Sequence, residues 1–243
     1  LFEIGTEELP AGDLDRAIDQ LQAAFTSWLA ETRLEHGQLI VQGTPRRLAI
    51  WINDLQTRQA NRVVEVKGPP ADRAFDNEGK PTKVAEGFAR SRSLDVAKLG
   101  VKDFDNGRYV VVQVEEEGKS AVELLQKTLH EVIRGMKFGK SMRWNNSGDS
   151  FSRPVRWLLA TLGNQVVPFS FGGLQSDSLT YGLRFTEEPD KKIESFDEYQ
   201  QYLQNQGIIL DQKARSSDIW EQALALAESS NGTLENDDDL LKE

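Results

Sequence analysis

The apolar residues that follow Ser120 form the strongest structural signal in this 243-residue chain. They recur at intervals of three and four residues, at Val122, Leu125, Leu129, Val132, Ile133 and Met136. Ser120 and Glu123 also have the Ser-x-x-Glu form of a capping box, which satisfies backbone N–H groups at a helix start. This combination predicts an amphipathic helix that begins after Ser120 and buries one face in a core.

The same periodicity predicts other helices. Apolar residues at helical spacing between Leu14 and Leu29 predict a long amphipathic helix, and residues 84–89 predict a short one. A second Ser-x-x-Glu pair, Ser195 and Glu198, predicts a helix that ends at Gly207. A last helix is expected over about residues 211–229, with Ile219, Trp220, Ala223, Leu224 and Ala227 on its apolar face.

Short apolar and β-branched runs between these helices predict strands. They occupy residues 2–4, 39–41, 48–52, 63–66 and 109–114. Residues 157–162 and 166–171 predict a hairpin around Gly163-Asn164, and residues 179–185 predict one more strand.

The order of the elements favours an α+β fold, because it is neither a regular βαβ alternation nor an all-β pattern. We expect two mixed α/β lobes with antiparallel-rich sheets and amphipathic helices. Residues 137–154 are rich in Ser, Asn and Gly and close at Arg153-Pro154. This predicts a first lobe over residues 1–150 and a second over residues 151–243, with an acidic helical C-terminal part.

Composition narrows the class of protein. Hydrophobic residues make up 38% and charged residues 28%, which argues against disordered and collagen-like chains. No apolar run approaches the roughly 20 residues that span a bilayer, so no membrane partner is expected. The absence of Cys and of an evident leader favours a cytoplasmic location. Leu1 at the start and the apolar–charged run 240–243 at the end suggest a piece of a longer protein.

The net charge of −10 is unevenly distributed. Residues 187–243 hold 15 acids against 5 bases, whereas residues 1–186 hold 24 of each. Within the neutral part, residues 119–156 carry 8 bases against 3 acids. This stretch is either a solvated helix face with a polar loop or a surface that contacts phosphate groups.

The sequence offers little catalytic machinery. The chain has no Cys, and its only His residues are His36 and His130. These residues are too few for a zinc site of usual ligand spacing, and they give little support for a His-based catalytic triad. There is also no Walker-type loop and no Gly-x-Gly-x-x-Gly after a strand. We therefore predict no catalytic residue and no metal ligand in this chain.

A set of short blocks resembles one family. The opening, residues 2–10 (FEIGTEELP), closely resembles the opening signature of bacterial-type glycyl-tRNA synthetase β subunits. Blocks at residues 44–49, 67–69, 85–88, 140–144 and 151–157 match the family in the expected order. Residues 172–178 and 182–185 are also similar, although Leu183 stands where the family often has His. The resemblance spans this chain but covers only the N-terminal part of the family's β subunit.

The resemblance implies an α₂β₂ enzyme that joins glycine to tRNA-Gly with ATP and Mg²⁺. In that family the α subunit activates glycine and the β subunit is needed for tRNA recognition, with further domains expected beyond Glu243. The implied partners are the α subunit and tRNA-Gly, and not DNA. We expect this chain to be inactive alone, to hold no cofactor, and to contribute to tRNA binding, to assembly with α, or to both. The alternative is a purely structural docking module without direct tRNA contact.

The candidate phosphate contacts are basic residues in or near these blocks, with Trp144 and Trp157 as possible stacking partners. They are Arg46, Arg47, Lys137, Lys140, Arg143, Arg153, Arg156 and Arg184. Two alternatives stay open from the sequence. One is that Arg46 and Arg47 pair with Glu7 and Glu8, and the other is that Trp157 belongs to the core.

Overall fold

The chain folds as predicted into an α+β structure with antiparallel sheets. A computed structural model describes residues 1–76, 78–186, 189–235 and 237–242. The helices are α1 (Ala11–Thr32), α2 (Ala71–Ala74), α3 (Lys83–Ser91), α4 (Ala121–Gly135), α5 (Phe196–Asn205), α6 (Gln212–Ser229) and α7 (Asp238–Lys242), with a 3₁₀ turn at Val96–Lys98. The strands are β1 (Phe2–Thr6), β2 (Leu39–Thr44), β3 (Arg47–Ile52), β4 (Arg62–Pro70), β5 (Gly100–Phe104), β6 (Gly107–Glu116), β7 (Val155–Leu162), β8 (Gln165–Val166), β9 (Ser170–Phe171), β10 (Leu174–Gln175), β11 (Leu179–Tyr181) and β12 (Asp190–Lys192). Among the described residues, every helix is too short or too polar to cross a membrane.

The main sheet has the order β2-β3-β1-β7-β8, and its neighbouring strands are antiparallel. The first strand of the chain is central. Phe2 lies between Ile50 of β3 and Ala160 of β7, so β7 joins the same sheet after more than a hundred intervening residues. Because β1 is covered on both faces, its five residues are all buried.

One face of this sheet builds the large apolar core. Alternate residues of β1, β3 and β7 pack on it against the apolar faces of α1 and α4. Leu21 and Phe25 of α1 and Leu129 and Ile133 of α4 are at most 1% exposed. The two helices predicted from apolar periodicity are thus confirmed, and packing of their apolar faces supplies most of their stability.

The opposite face of the sheet packs against α5 through a smaller cluster that includes Ala49, Leu159 and Tyr199. This face also carries a buried charge, because Glu3 of β1 points into it and is 0% exposed. The N-cap predicted for α5 is present, since the Ser195 hydroxyl accepts a hydrogen bond from the Glu198 N–H at 3.2 Å.

The compact units of the structure differ from the two predicted lobes. One unit consists of residues 1–58 and 120–243, and the other of residues 59–119. The boundary predicted near residue 150 falls between α4 and β7, which both belong to the first unit. The reason is the pairing of β7 with β1, a long-range contact that leaves no local mark in the sequence.

The unit of residues 59–119 is an insertion whose two ends are paired. The Gln59 N–H donates to the Lys119 carbonyl at 3.0 Å, and the Lys119 N–H donates to Gln59 Oε1 at 3.1 Å. Its sheet has the order β4-β6-β5 and a small core formed by Ala74, Ala85 and Val110.

Several local predictions need correction. Ser120 makes no capping hydrogen bond through its side chain. Its backbone instead forms a bridge with Arg58, and this pairing fixes the start of α4. The strand predicted over 166–171 is split into β8 and β9, because Pro168 has no N–H for a ladder. The strand predicted over 179–185 ends at Tyr181, and Phe185 has φ +68°, a left-handed conformation that a strand cannot contain.

Candidate nucleic-acid interface

The turn after β1 is held between two other segments of the chain. The Thr6 N–H donates to the Arg46 carbonyl at 2.9 Å, and the Leu9 N–H donates to the Pro45 carbonyl at 2.7 Å. On the other side, the Glu7 N–H donates to the Pro154 carbonyl at 3.0 Å. These backbone bonds bring Glu7 close to the β2–β3 turn and to the start of β7.

Arginines from three segments meet around Glu7. Arg156 Nε lies 3.4 Å from Glu7 Oε1, and Arg184, after β11, places a guanidinium nitrogen 2.5 Å from Glu7 Oε2. Together with Arg46 they line a cleft of about 470 Å³, whose wall includes Trp157. We call this the arginine cleft. Among the described residues that line it, three arginines face one carboxylate, so its net charge is positive.

Arg46 is the least solvated of the three. Its Nε is buried and finds no hydrogen-bond acceptor among the described residues. Burial lowers the pKa of the Arg46 guanidinium, the positive charge of Arg184 lowers it further, and Glu7 opposes both effects. An oxyanion placed in the cleft would offset the repulsion between the Arg46 and Arg184 guanidinium groups.

Arg47, by contrast, cannot contact a phosphate in this structure. It is 2% exposed, and its guanidinium pairs with Glu3 at 3.4 Å and donates to the Tyr181 carbonyl. The candidate role of Arg47 in phosphate binding is therefore corrected to a role in the fold. The alternative pairing of Arg46 and Arg47 with Glu7 and Glu8 is also corrected, because Arg47 pairs with Glu3, and Glu7 pairs with Arg156 and Arg184.

The remaining candidates lie elsewhere on the first unit. Lys137, Lys140 and Arg143 are exposed on the segment between α4 and β7. The Lys137 backbone is tied to α1, since its N–H donates to Gln20 Oε1 at 2.7 Å. Arg153 is partly buried and donates to the carbonyl of Ser152 at 3.0 Å. The structure thus brings together Arg46, Arg156 and Arg184, and it keeps the other three exposed bases on a different segment.

The two tryptophans suggested for base stacking are packed against protein. Trp157 is 7% exposed and donates from Nε1 to Glu3 Oε1 at 2.8 Å, which confirms the core alternative. Trp144 is partly buried and packs on Phe171, with ring centroids 6.4 Å apart.

Sequence reasoning missed the buried carboxylate that organises this region. Glu3 Oε2 accepts from the Thr180 hydroxyl at 2.7 Å, in addition to the contacts of Glu3 with Trp157 and Arg47. The signal in the sequence was Glu3 itself, an acidic residue between the apolar residues Phe2 and Ile4 of a predicted strand. Such a residue in a fully buried strand needs a partner, and Arg47 in the neighbouring strand supplies it.

An α+β protein with a cleft of arginines from three separate segments has the features of a polyanion-binding protein. The family model described as "Glycyl-tRNA synthetase beta subunit" matches residues 1–243. This chain belongs to that family.

Relatives in the family are similar to this chain over its whole length. The beta subunit of glycine–tRNA ligase from Moorella thermoacetica is 40% identical over 243 residues, which cover 100% of this chain and 35% of the relative. The Myxococcus xanthus beta subunit is 39% identical over 241 residues, covering 99% and 34%. The chloroplastic/mitochondrial glycine–tRNA ligase 2 of Arabidopsis thaliana is 40% identical over 243 residues, covering 100% and 23%. The chain spans about a third of the length of the two bacterial relatives.

Proposed function

We propose that this chain is the tRNA-contacting, non-catalytic N-terminal region of the β subunit of an α₂β₂ glycine–tRNA ligase. In this proposal the arginine cleft binds phosphate groups of tRNA-Gly. The observation that carries it is the convergence of Arg46, Arg156 and Arg184 on one cleft, with a single carboxylate facing them among the described lining residues.

The ion pairs of Glu7 are compatible with exchange for a phosphate. The Arg156 and Arg184 side chains are 60% and 49% exposed. Exposed pairs of this kind contribute roughly 0.2–1 kcal/mol each, so an RNA phosphate can replace the carboxylate at small cost. Glu7 then holds the arginines in place when no RNA is bound.

The exposed bases Lys137, Lys140 and Arg143 form a second surface in this proposal. They lie on a segment whose backbone is fixed to α1, so their charges are presented from a defined position. Phosphate contacts add approximately independently to the salt dependence of binding, and both surfaces can therefore be tested separately.

The test is a titration of tRNA-Gly against the complete α/β complex by fluorescence anisotropy, at several salt concentrations between about 50 and 200 mM. Arg156→Gln with Arg184→Gln should weaken binding and reduce the slope of log K against log salt by roughly 1 for each lost phosphate contact. Lys140→Glu with Arg143→Glu should weaken binding and flatten the salt dependence in the same way. Arg108→Gln, an exposed arginine in residues 59–119, is the matched control. An unchanged slope in both double variants would contradict tRNA contact by this chain.

The activity of the whole enzyme is part of the same proposal. We infer that ATP-dependent glycylation takes place in the complex with the α subunit, in the cytoplasm, with Mg²⁺ as the metal. Within the described ranges, no group of three or more His, Cys, Asp or Glu side chains is placed to hold a metal ion. In this proposal the groups that carry out the chemistry lie outside this chain, and we assign its residues no step of the reaction.

A docking role toward the α subunit is the second candidate, and α6 favours it. No residue of this helix is buried, and Ile219 and Leu226, seven residues apart on one face, are 49% and 69% exposed. Of the apolar face predicted for this helix, Ile219 and Leu224 are exposed, at 49% and 39%, whereas Trp220, Ala223 and Ala227 are partly buried. Changing Ile219 and Leu226 to Ser should reduce capture of the α subunit in the absence of tRNA and leave the salt slope of tRNA binding unchanged. Full capture by this variant would contradict docking through α6.

A further inference from the structure

A second cleft adjoins the arginine cleft and shares part of its wall. It has a volume of about 350 Å³, and its apolar lining comes from Pro45, Leu183, Ile208 and Ile209. We call it the apolar cleft. Arg46, Gly182 and Leu183 line both clefts, so the two clefts are neighbours on the same surface.

The apolar cleft has polar groups at fixed positions. Arg215 NH1 donates to the carbonyls of Ile209, Gly43 and Leu210 at 2.7, 3.2 and 3.4 Å, which holds its guanidinium in place. Glu8 also lines the cleft. A carboxylate at this position disfavours a phosphate and offers an acceptor to an amino group.

These two clefts have the complementary chemistry of a nucleotide. A phosphate matches the three arginines, and a flat, largely apolar nucleobase matches the aliphatic lining next to a guanidinium plane. The volume of about 350 Å³ exceeds what one base requires, so the cleft admits either a purine or a pyrimidine.

We propose that an unpaired RNA nucleotide binds across both clefts, with its base in the apolar cleft and its phosphate in the arginine cleft. The inference rests on the proposed function and deepens it, because it specifies single-stranded RNA. A base that is stacked and paired in a duplex cannot enter a side pocket, whereas bases of loops and ends can be turned outward.

The test compares three short oligoribonucleotides on the full-length β subunit with its α partner. One is single-stranded, the second has the same sequence but lacks its bases at consecutive positions, and the third is the paired duplex, compared per phosphate. The intact single strand should bind roughly tenfold more tightly than the abasic strand, which is within the range measured for one base contact. Ile209→Ala and Leu183→Ala should each remove most of this difference.

The controls separate binding from folding. Val63→Ala removes a similar apolar side chain, 65% exposed, from residues 59–119, and it should leave the preference for bases unchanged. Ile209 is not a member of the buried clusters, and an unchanged urea midpoint of Ile209→Ala will show that its fold is intact. Equal affinities for intact and abasic strands, with a normal salt slope, would overturn the base site and leave phosphate binding standing. Affinities that do not depend on salt for any strand would overturn both proposals.

Discussion

Replacement of Glu3 by Gln should cost far more stability than loss of an exposed charge of this chain. Glu3 is 0% exposed and receives hydrogen bonds from Trp157 Nε1 at 2.8 Å and the Thr180 hydroxyl at 2.7 Å. It is also the ion-pair partner of Arg47, which is itself 2% exposed. Gln keeps one acceptor oxygen, but its amide presents N–H groups to donors and leaves the cation of Arg47 buried without a counter-charge.

The expected loss follows from this geometry. Removing one partner of a buried ion pair costs about 3–5 kcal/mol, since the other charge stays desolvated. At a urea slope of about 2 kcal/mol/M, this loss lowers the unfolding midpoint by roughly 1.5–2.5 M. Urea unfolding followed by tryptophan fluorescence is suitable, because Trp157 bonds directly to Glu3.

A double-mutant cycle tests the reason for the loss. Arg47→Met removes the buried cation, so Glu3→Gln with Arg47→Met should cost at least about 2 kcal/mol less than the sum of the single changes. Glu65→Gln is the matched control, because Glu65 pairs with Lys102 at 2.6 Å on an exposed sheet face. That pair contributes roughly 0.2–1 kcal/mol. The reasoning is refuted if Glu3→Gln costs no more than Glu65→Gln, or if the costs of the cycle are additive.

Two further changes probe packing and alkaline stability. Gly5→Ala should destabilise the chain by several kcal/mol, about the upper range for overpacking, because its new Cβ would lie 1.9 Å from two ring carbons of Trp157. Gly12→Ala is the control, since its Cβ meets nothing within 4 Å, and it should be neutral or stabilising by up to about 1 kcal/mol. Urea unfolding measures both effects. Burial, and after it the negative charge of Glu3, raises the pKa of Tyr199 well above 10.0. As the pH passes 10, the Tyr199 phenol ionises in the unfolded chain but not in the folded chain. The contribution of its raised pKa to the unfolding free energy is therefore complete below pH 10 and is lost above it. Tyr199→Phe should accordingly reduce the alkaline fall in unfolding free energy. A fall of equal steepness in Tyr199→Phe would contradict this assignment.

The sequence was sufficient for elements whose pattern is local. The apolar stripes of α1 and α4 and the Gly163-Asn164 hairpin are properties of consecutive residues, and the structure contains all three. Gly163 has φ +58°, which is the conformation that the hairpin turn requires. Strands β5 and β12 were not predicted, because neither has apolar residues at alternate positions that would form one apolar face.

The topology and the candidate site required information that no short window contains. Because β1 pairs with β7, the segments before and after residues 59–119 belong to one unit, and residues 59–119 are an insertion in it. The boundary predicted at residue 150 came from local composition, which holds no information about this pairing. The charge pattern pointed to residues 119–156 as the basic surface, but only Arg156 of that stretch lies in the arginine cleft. Arg46 and Arg184 come from distant segments, and their positions depend on the sheet.

The Arg46-Arg47 pair explains why one short motif can serve both the fold and a surface. The turn and strand direction place Arg47 in β3, opposite Gly5 of β1, where its side chain shares the buried face with Glu3. Arg46 precedes the strand, binds Thr6 through its carbonyl, and keeps its guanidinium at the border of the two clefts. The buried pair therefore fixes the backbone from which Arg46 reaches the cleft. A change at Arg46 should accordingly alter RNA binding in a chain that unfolds at nearly the normal urea concentration. A change at Arg47, which also lines the apolar cleft, should lower the urea midpoint as well as alter RNA binding.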